Sequence, residues 1–584
     1  MKFSALLVAL TLGSYANASS TEDNKSSNWT IGQIVETASG PVAGHAAENN
    51  KAVSEYLGIP YGQAPIGNLR FAAPVKFTGK EKLSGAAFGP NCPVRASNDS
   101  FPTPEQLDAA NATFAALLTL ATFESVGEES EDCLSLNVWT RPQNGQAKKA
   151  VLMWIYGGGY STGSASIPAY NGARLAARED VVVVTFNYRL SILGFPGNPD
   201  STANLALLDQ RLAVEWVRDN IEKFGGDPSR ITLFGQSVGA ASVDLYSYAW
   251  TKDPIVAGLI PESGNVIGWG LQRSKDVSAK AWYNVSANLG CGDAASNSTA
   301  VLECMRGKNY TDVLNAIPQT AGSASLVGPF GPTVDGEVVF SNHEYTSRTP
   351  AKVPMLIGSN NYEAGLFRAQ FALGGFFYSE DFWNVFNLQG FTCPTGIRAN
   401  LSVAAGIPTW RYRYMGVFPN LAITDDAQAY HFAEVPMIFN TAPDYPDPTR
   451  EQVSIGKYMR GAWAAFAKDP QKGLTKYGWP QYNIGQDTLV RLAYNNITGP
   501  NLINPRRYDA DCAFVNASSS DATIKLPILP DGGANVTPTA PPGSKPTGKG
   551  SILSSLEVGS SGNADGKIKA EDVHMGIFDL GMHM

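Results

Sequence analysis

The sequence is poor in charge, in histidine and in long apolar runs. Charged residues make up only 16% of the 584, and 44 Lys and Arg stand against 52 Asp and Glu, a formal net charge of −8. Binding to nucleic-acid phosphates needs clustered Lys and Arg, so this balance argues against a nucleic-acid partner. Past residue 20 no apolar run approaches the roughly 18 residues of a membrane-spanning helix, and none is predicted. The 43% of hydrophobic residues suffices for a large core, which excludes disorder of the whole chain.

The N-terminal segment has the pattern of a secretory signal. Lys2 is followed by the apolar run Phe3–Leu12 and by Ala16-Asn17-Ala18, a small-residue cleavage site, so residues 1–18 are predicted to be a signal peptide and not a buried helix. The six cysteines form an even set, as expected where disulfides form. Eleven Asn-x-Ser/Thr sequons occur, at Asn24, Asn28, Asn98, Asn111, Asn284, Asn297, Asn309, Asn400, Asn496, Asn516 and Asn535. Together these features predict a secreted, extracellular protein with N-linked glycans.

Short apolar runs separated by a helical pattern predict an α/β fold. Such runs are typical of parallel strands buried on both faces; they cover Val151–Ile155, Val181–Phe186, Ile231–Phe234 and Val353–Ile357. Between the second and third, apolar residues recur near helical spacing from Leu208 to Ile221, and Gly225-Gly226 ends the helix. Alternating strands and helices indicate a large, mostly parallel sheet flanked by helices.

The composition divides the chain into a body and a tail. After about Asn516 the sequence becomes rich in Pro, Gly and Ser or Thr, and residues 518–584 are interpreted as a flexible linker and C-terminal tail. Residues 19–517 are predicted to form one catalytic domain. A partial calcium-loop pattern from Ser561 to Asp572 lacks two of the expected carboxylate ligands. No cofactor or metal site is therefore predicted.

The motif Gly-x-Ser-x-Gly occurs twice, centred on Ser161 and on Ser237. In α/β-hydrolases this motif makes a tight strand-to-helix turn that exposes the serine oxygen above the sheet. Ser237 follows the predicted strand Ile231–Phe234 and precedes a plausible helix start. Ser161 follows three glycines and leads into a segment that does not continue as a helix. The context therefore predicts Ser237 as the nucleophile and Ser161 as a loop residue.

A serine nucleophile needs a general base, and the chain has only five histidines: His45, His343, His431, His574 and His583. The chain order in α/β-hydrolases is Ser, then acid, then His, which removes His45 and disfavours His343. His574 and His583 lie beyond the predicted linker, where nothing would hold them in a catalytic geometry. His431 is therefore the predicted base.

The acid of the triad should lie just past a strand, between Ser237 and His431. Glu363 meets this condition, because it stands in the segment that follows Val353–Ile357. Its role would be to hold the imidazole tautomer and to stabilise the imidazolium. Asp335, in Thr-Val-Asp-Gly, is the alternative, although this sequence favours a turn.

An oxyanion hole needs backbone N–H groups that converge on one point. Three glycines, residues 157–159, follow the strand Val151–Ile155 and allow the chain to pass close to a reacting carbonyl. The N–H of Val238, the residue after the nucleophile, is a further donor.

These segments resemble the type-B carboxylesterase/lipase family, the cholinesterase-like branch of the α/β-hydrolases, and most closely its secreted fungal carboxylesterases. The resemblance extends from about Ile31 to Cys512, and four segments carry it: Ser130–Val138, Trp154–Tyr160, Phe234–Gly239 and Tyr430–Glu434. It implies an α/β-hydrolase fold and a Ser-Glu-His triad at Ser237, Glu363 and His431. It further implies oxyanion donors at Gly158, Gly159 and Val238, the disulfides Cys92–Cys133, Cys291–Cys304 and Cys393–Cys512, and an ion pair of Arg70 with Glu131.

Three residues depart from the family pattern. Val238 stands where alanine is usual, Gln236 replaces the glutamate of cholinesterases, and Phe432 stands where the family prefers glycine. The oxyanion donor at Val238 is a backbone group, so function should survive while the pocket narrows. Phe432 could shift the imidazole or fill the pocket and is expected to affect rate more than reaction type.

The segment between Cys92 and Cys133 is predicted to be a disulfide-closed, lid-like loop. Residues 103–106 (Thr-Pro-Glu-Gln) form a helix-start pattern, and apolar residues from Leu107 to Ala121 then share one helical face. In family terms this resembles the lid of microbial lipases. A permanently docked helix is the alternative. The sequon at Asn111 lies near the apolar face, so the lid interpretation predicts that it is unmodified.

The sequence thus predicts a secreted serine carboxylic-ester hydrolase that forms an acyl-enzyme on Ser237. Its partner would be a small-molecule or lipid ester, without nucleic acid or a membrane anchor. Two alternatives stay open: a lipase or sterol esterase with a lid, and a non-catalytic binding or adhesion protein on the same fold. The presence of all three triad residues favours the enzyme, and the oligomeric state is not predicted.

Overall fold

A computed structural model gives the fold and describes residues 29–513, apart from 96–106, 108–126, 144–147, 269, 319–327, 425–427 and 445. The predicted signal peptide, most of the predicted lid with Asn111, and the predicted tail at 518–584 lie outside the described residues. The division into these segments stays a prediction.

Thirteen strands are present in the described part of the chain. They are β1 Ile34–Thr37, β2 Gly40–Ala43, β3 His45–Ala47, β4 Asn50–Pro60, β5 Ser135–Thr140, β6 Lys149–Ile155, β7 Val182–Phe186, β8 Gly226–Gln236, β9 Gly258–Glu262, β10 Met355–Asn360, β11 Thr409–Tyr414, β12 Leu489–Leu492 and β13 Asn501–Ile503. Strands β1 and β2 pair separately. The other eleven form one sheet in the order β13-β12-β11-β10-β9-β8-β6-β7-β5-β4-β3.

The centre of the large sheet is parallel and its two ends are antiparallel. Strands from β7 through β6, β8, β9, β10 and β11 to β12 run parallel to their neighbours. The pairs β3–β4, β4–β5, β5–β7 and β12–β13 are antiparallel. Every residue of β6 and β7 is buried, as expected for apolar strands covered on both faces. The predicted α/β-hydrolase fold, with a large and mostly parallel central sheet, is confirmed.

Helices flank this sheet on the described part of the chain. They are α1 Ala173–Glu179, α2 Ser191–Gly194, α3 Leu205–Asn220, α4 Val238–Ala249, α5 Lys275–Asn288, α6 Ser298–Gly307, α7 Tyr310–Asn315, α8 Asn342–Ser347, α9 Ala364–Leu373, α10 Glu380–Asn387, α11 Cys393–Ala404, α12 Val435–Phe439, α13 Arg450–Lys468, α14 Gly473–Lys476 and α15 Arg506–Asp509. Short 3₁₀ turns cover Gly67–Leu69, Pro168–Tyr170, Ile221–Phe224, Pro419–Leu421 and Tyr494–Asn496, and a π turn covers Leu388–Thr392. None of the helices described here is both long and apolar enough to cross a membrane.

Two element boundaries differ from the sequence prediction for physical reasons. The strand predicted from Val353 begins at Met355, because Pro354 has no N–H to donate to the sheet. The helix predicted to run to Gly225 ends at Asn220 and continues as a 3₁₀ turn. Gly225 follows that turn with a φ of 83°, a conformation that favours glycine.

Three disulfides and one buried ion pair join segments that are separated in the sequence. The disulfides are Cys92–Cys133, Cys291–Cys304 and Cys393–Cys512, the three pairs that the family resemblance implied. Arg70 donates from Nε to Glu131 Oε1 over 2.6 Å, and both side chains are buried. The implied ion pair is therefore present.

Candidate active site

Ser237 occupies a strained turn between β8 and α4. Its φ of 59° and ψ of −127° lie in a region that residues other than glycine rarely adopt. The Ser237 N–H donates to the Glu262 carbonyl at the end of β9 over 3.0 Å. This turn therefore carries the serine past the carboxyl end of the sheet while its backbone stays attached to the neighbouring strand.

Glycines are required around this turn, because a side chain at their positions would collide with the neighbouring backbone. A Cβ on Gly239 would lie 2.1 Å from the Ile155 carbonyl oxygen, and one on Gly235 would lie 2.6 Å from the same atom. A Cβ on Gly264 would lie 2.1 Å from the Ser237 carbonyl oxygen. The motif Gly-x-Ser-x-Gly is thus required by the packing of α4 against β6, as the pattern predicted.

The three glycines after β6 lie directly beside Ser237. A Cβ on Gly157 would approach the Ser237 Cβ to 2.9 Å. Gly158 and Gly159 have positive φ angles of 106° and 63°, and the N–H groups of Ser161 and Thr162 both donate to the Gly158 carbonyl over 3.0 Å. This loop brings backbone amides next to the serine, which is the arrangement that an oxyanion hole requires.

Glu363 and His431 are in direct contact. His431 Nδ1 lies 2.7 Å from Glu363 Oε2, and the His431 N–H donates to the Glu363 carbonyl over 3.3 Å. The other carboxylate oxygen, Oε1, accepts the backbone N–H of Asn360 over 2.6 Å. Both side chains are buried, with 5% of His431 and 1% of Glu363 exposed. Glu363 is thus fixed at both oxygens and orients the imidazole through Nδ1.

The second imidazole nitrogen remains available. His431 Nε2 is buried and makes no hydrogen bond within the described part of the chain, so it is not bonded to Ser237 in this structure. A contact between base and nucleophile is often long without substrate and tightens when substrate binds. Nε2 is the nitrogen that remains for proton transfer, since Nδ1 is held by Glu363.

Aromatic rings surround the imidazole. The ring centroids of Phe367 and Phe391 lie 5.0 and 5.1 Å from that of His431. Phe432, the next residue along the chain, is 2% exposed and has a φ of 92°. Its positive φ is a conformation that favours glycine. Phe367 and Phe391 give the site an apolar wall beside the imidazole.

The other sequence candidates lie elsewhere. His45 pairs with Glu55 at the sheet edge over 2.9 Å, and His343 is exposed on α8. Asp335 Oδ1 accepts three successive backbone N–H groups, from Glu337 to Val339, each over 2.9 Å, as a turn residue does. Ser161 is not followed by a helix: the next element is the 3₁₀ turn Pro168–Tyr170. His574 and His583 lie outside the described residues.

Two buried carboxyl groups behind the site were missed by the sequence analysis. Glu262 ends β9, Glu434 precedes α12, and both are fully buried. Burial, and then the neighbouring Glu363, raise the pKa of Glu434 to about 8; burial, and then Glu434, raise the pKa of Glu262 well above its usual range. An ionisable residue at the end of the apolar run Gly258–Glu262 was the signal that could have drawn attention to Glu262.

Comparisons with known proteins define the class: the protein is a carboxylic-ester hydrolase with the α/β-hydrolase fold. A sequence model of the carboxylesterase family matches residues 32–382, and the chain belongs to that family.

Similar proteins include both esterases and a lipase. A chlorogenic acid esterase of Aspergillus niger is 33% identical over 513 residues, which are 83% of this chain and 95% of that protein. A secreted lipase 5 of Gibberella zeae is 33% identical over 512 residues, 80% of this chain and 91% of that protein. A cholinesterase of Mus musculus is 35% identical over 326 residues, 54% of this chain and 51% of that protein.

Proposed function

We propose that this protein is a secreted serine esterase that works through a Ser237-Glu363-His431 triad. The observation that carries the proposal is the 2.7 Å contact between Glu363 and His431 Nδ1, which leaves Nε2 available. The strained Ser237 and the glycine loop stand at the same edge of the sheet, after β8 and β6. This combination of nucleophile, oriented base and backbone donors is the one that acyl transfer requires.

The reaction then proceeds in two halves. Ser237 Oγ attacks the ester carbonyl carbon while His431 Nε2 takes the hydroxyl proton, and the N–H groups of Gly158, Gly159 and Val238 stabilise the oxyanion. Collapse of this intermediate breaks the bond to the alcohol oxygen, which receives the proton from His431, and leaves an acyl-enzyme. A water molecule then attacks the acyl carbon while His431 takes its proton. The bond from the acyl carbon to Ser237 Oγ breaks, Oγ receives that proton from His431, and the acid is released. Glu363 stabilises the imidazolium in both halves.

The mechanism is tested by substituting the nucleophile. We expect Ser237→Ala to remain folded and to lose on the order of 10⁴-fold or more of kcat, because the covalent intermediate cannot form. Ser161→Ala is the matched control, since it stands in the other Gly-x-Ser-x-Gly motif, and it should retain most activity. Retained activity in the Ser237 variant, with loss in the Ser161 variant, would overturn the assignment.

Two substrate classes are open for this site: soluble esters and aggregated lipids. The relatives named as a chlorogenic acid esterase and a secreted lipase 5 support both possibilities equally, while the apolar wall of Phe367 and Phe391 favours an aromatic or aliphatic group near His431. A screen should compare chlorogenic acid, p-nitrophenyl esters of increasing chain length and emulsified triglyceride. Faster hydrolysis above the solubility limit of the long-chain esters would favour a lipase.

Secretion and glycosylation are part of the same proposal. The signal-like residues 1–18, the three disulfides and the secreted lipase 5 of Gibberella zeae support export. Asn297 and Asn309 are exposed sequons that immediately precede helices α6 and α7 as their N-caps. Each accepts a backbone N–H through its side-chain oxygen, an arrangement that leaves the amide nitrogen for a sugar. Mass spectrometry after enzymatic deglycosylation in ¹⁸O water should mark both residues.

A further inference from the structure

Glu262 and Glu434 place two carboxyl groups in the protein interior without a compensating cation. Both side chains are 0% exposed, and neither takes part in an ion pair within the described residues. Glu363, a third buried carboxyl group, lies next to Glu434 and is paired with His431. Three carboxylates so close together in a buried region would repel one another at a large cost in free energy.

In each glutamate of the pair, one carboxyl oxygen accepts a hydrogen bond from a side chain and the other does not. Glu262 Oε1 accepts the indole N–H of Trp463 over 2.7 Å, and Glu434 Oε2 accepts from the side-chain amide of Asn360. The remaining oxygens, Glu262 Oε2 and Glu434 Oε1, are buried and have no partner in good hydrogen-bond geometry among the described residues. The Ser263 hydroxyl and the Glu434 backbone N–H lie close enough to the Glu434 carboxyl group to lower its pKa, but less than burial raises it. A carboxylate oxygen without a donor is costly to bury, whereas a protonated carboxyl group can itself donate.

The pair is attached to the catalytic residues on both sides. The Glu262 carbonyl accepts the N–H of Ser237. Asn360 joins Glu434 to the triad acid, because its side chain donates to Glu434 while its backbone N–H donates to Glu363 Oε1. Any charge on the pair would therefore act on Glu363 and, through Glu363, on His431.

We propose that Glu262 and Glu434 form a buried carboxyl pair that retains its protons at neutral pH and positions Asn360 for the triad. Glu363 is then the carboxyl group of this cluster that contacts His431. Glu434 acts through Asn360 and Glu262 through the bond of its carbonyl to the Ser237 N–H, so both glutamates are positioning residues. The link to catalysis rests on the triad proposed above; the protonation of the pair does not.

Among the described residues, no Lys or Arg is paired with Glu262 or Glu434. The titratable groups that interact with Glu434 or Glu262 from the neighbouring elements are Tyr170, Glu363, Tyr412 and Tyr414. Around Glu363, the third carboxyl group, His431 and Arg413 of β11 are the neighbouring basic groups. Burial raises the pKa of both glutamates, in agreement with the geometry.

Stability measured against pH gives the first test. A carboxyl group whose pKa is raised in the folded protein stabilises the fold at low pH and loses that effect as pH rises from about 4.3, the unfolded value, to about 8. Glu434→Gln keeps an acceptor for Asn360 and does not titrate, so its Tm should exceed that of the wild type by an amount that grows between pH 5 and 8. Glu303→Gln, on the exposed surface of α6, is the control and should show no such trend. A variant that is less stable at pH 8 than at pH 5, relative to wild type, would overturn the proposal.

Infrared spectroscopy gives a second test that needs neither activity nor a fully stable variant. At pH 7 the wild type should show the carbonyl-stretch band of protonated carboxylic acid, which Glu434→Gln reduces and Glu262→Gln plus Glu434→Gln abolishes. Identical spectra in this region for wild type and the double variant would show that the pair is ionised.

The pH dependence of kcat/KM distinguishes this inference from the proposed function. The fall of kcat/KM at low pH reports protonation of the catalytic base. If Glu434 is neutral at pH 5–7, Glu434→Gln should not change the pH at which this fall occurs. If Glu434 were ionised, the loss of its charge would move this fall by about one pH unit to lower pH. If Ser237→Ala retained activity, the triad would fail, while the Tm and infrared results would still decide the state of the pair.

Discussion

Phe432 shows how one residue departs from the conformation that its side chain favours. Its φ of 92° places a bulky residue in the left-handed half of backbone space, directly after His431. The family prefers glycine at this position, and the structure supplies the reason. The buried ring, whose centroid lies 6.1 Å from that of Tyr170, must offset the cost of the backbone conformation.

A pair of substitutions separates the ring from the backbone. Phe432→Gly and Phe432→Ala both remove the ring, but only alanine keeps a Cβ at positive φ, so the glycine variant should be more stable by about 1–2 kcal/mol. Phe439, buried in helix α12, is the control: there the alanine variant should be more stable by about 0.5–1 kcal/mol. The free energy of unfolding from urea titration measures both differences. If Phe432→Ala were more stable than Phe432→Gly, the backbone at this position would not be strained.

At the scale of elements, the contact between α4 and β6 positions the nucleophile. Gly239 lies so close to this strand that an added Cβ would meet the Ile155 carbonyl oxygen at 2.1 Å. Gly239→Ala must therefore displace α4, and we expect it to lower the free energy of unfolding by about 1–3 kcal/mol and to lower kcat as Ser237 moves.

The matched control is Gly307→Ala, at the end of α6, where an added Cβ would meet nothing within 4 Å. This change should leave both stability and kcat close to the wild-type values. Circular dichroism with urea titration and steady-state kinetics measure the two variants side by side. Equal effects of the two substitutions would show that the close contact of α4 with β6 does not hold the nucleophile.

Elements with a local signal were predictable from the sequence, and those that depend on distant partners were not. Strands β6 and β7 consist almost entirely of apolar residues, and the turn at Ser237 is indicated by the glycines of its own motif. Strand β11, in contrast, contains Arg411 within a fully buried strand. Asp509, 98 residues downstream, accepts from both terminal nitrogens of Arg411, and no local pattern indicates that partner.

The parts of the candidate site that could be predicted are also those with a signal in the sequence itself. Ser237 follows from a motif, and His431 follows from the scarcity of histidine and the chain order. Glu262 and Glu434 are 172 residues apart in the sequence, and their proximity arises only when β9 and the start of α12 pack together. Buried polar groups behind a site are therefore found from the structure.

At the scale of the whole molecule, the C-terminal end of the described chain is fastened to the sheet. Asp509 pairs with Arg411, and Cys512 forms a disulfide with Cys393. The composition after Ala517 predicts a tail with too few apolar residues to join a core.

Two truncations test this division. Ending the chain after Ala517 should leave Tm and activity nearly unchanged. Ending it after Asn504 removes Asp509 and Cys512, leaves the buried Arg411 unpaired, and should cost about 3–5 kcal/mol for the ion pair alone. Differential scanning calorimetry of the two chains makes the comparison. A fall of several degrees in Tm on removal of residues 518–584 would show that the tail packs on the body.

The identity of the nucleophile is the central claim, and covalent labelling tests it most directly. The full-length protein should be treated with a fluorophosphonate, which phosphonylates an activated serine, then digested and sequenced by tandem mass spectrometry. We expect one modified residue, Ser237, and no modification when His431→Gln removes the base. Modification of Ser161 or of another serine, or an unmodified protein that still hydrolyses esters, would contradict the proposed triad.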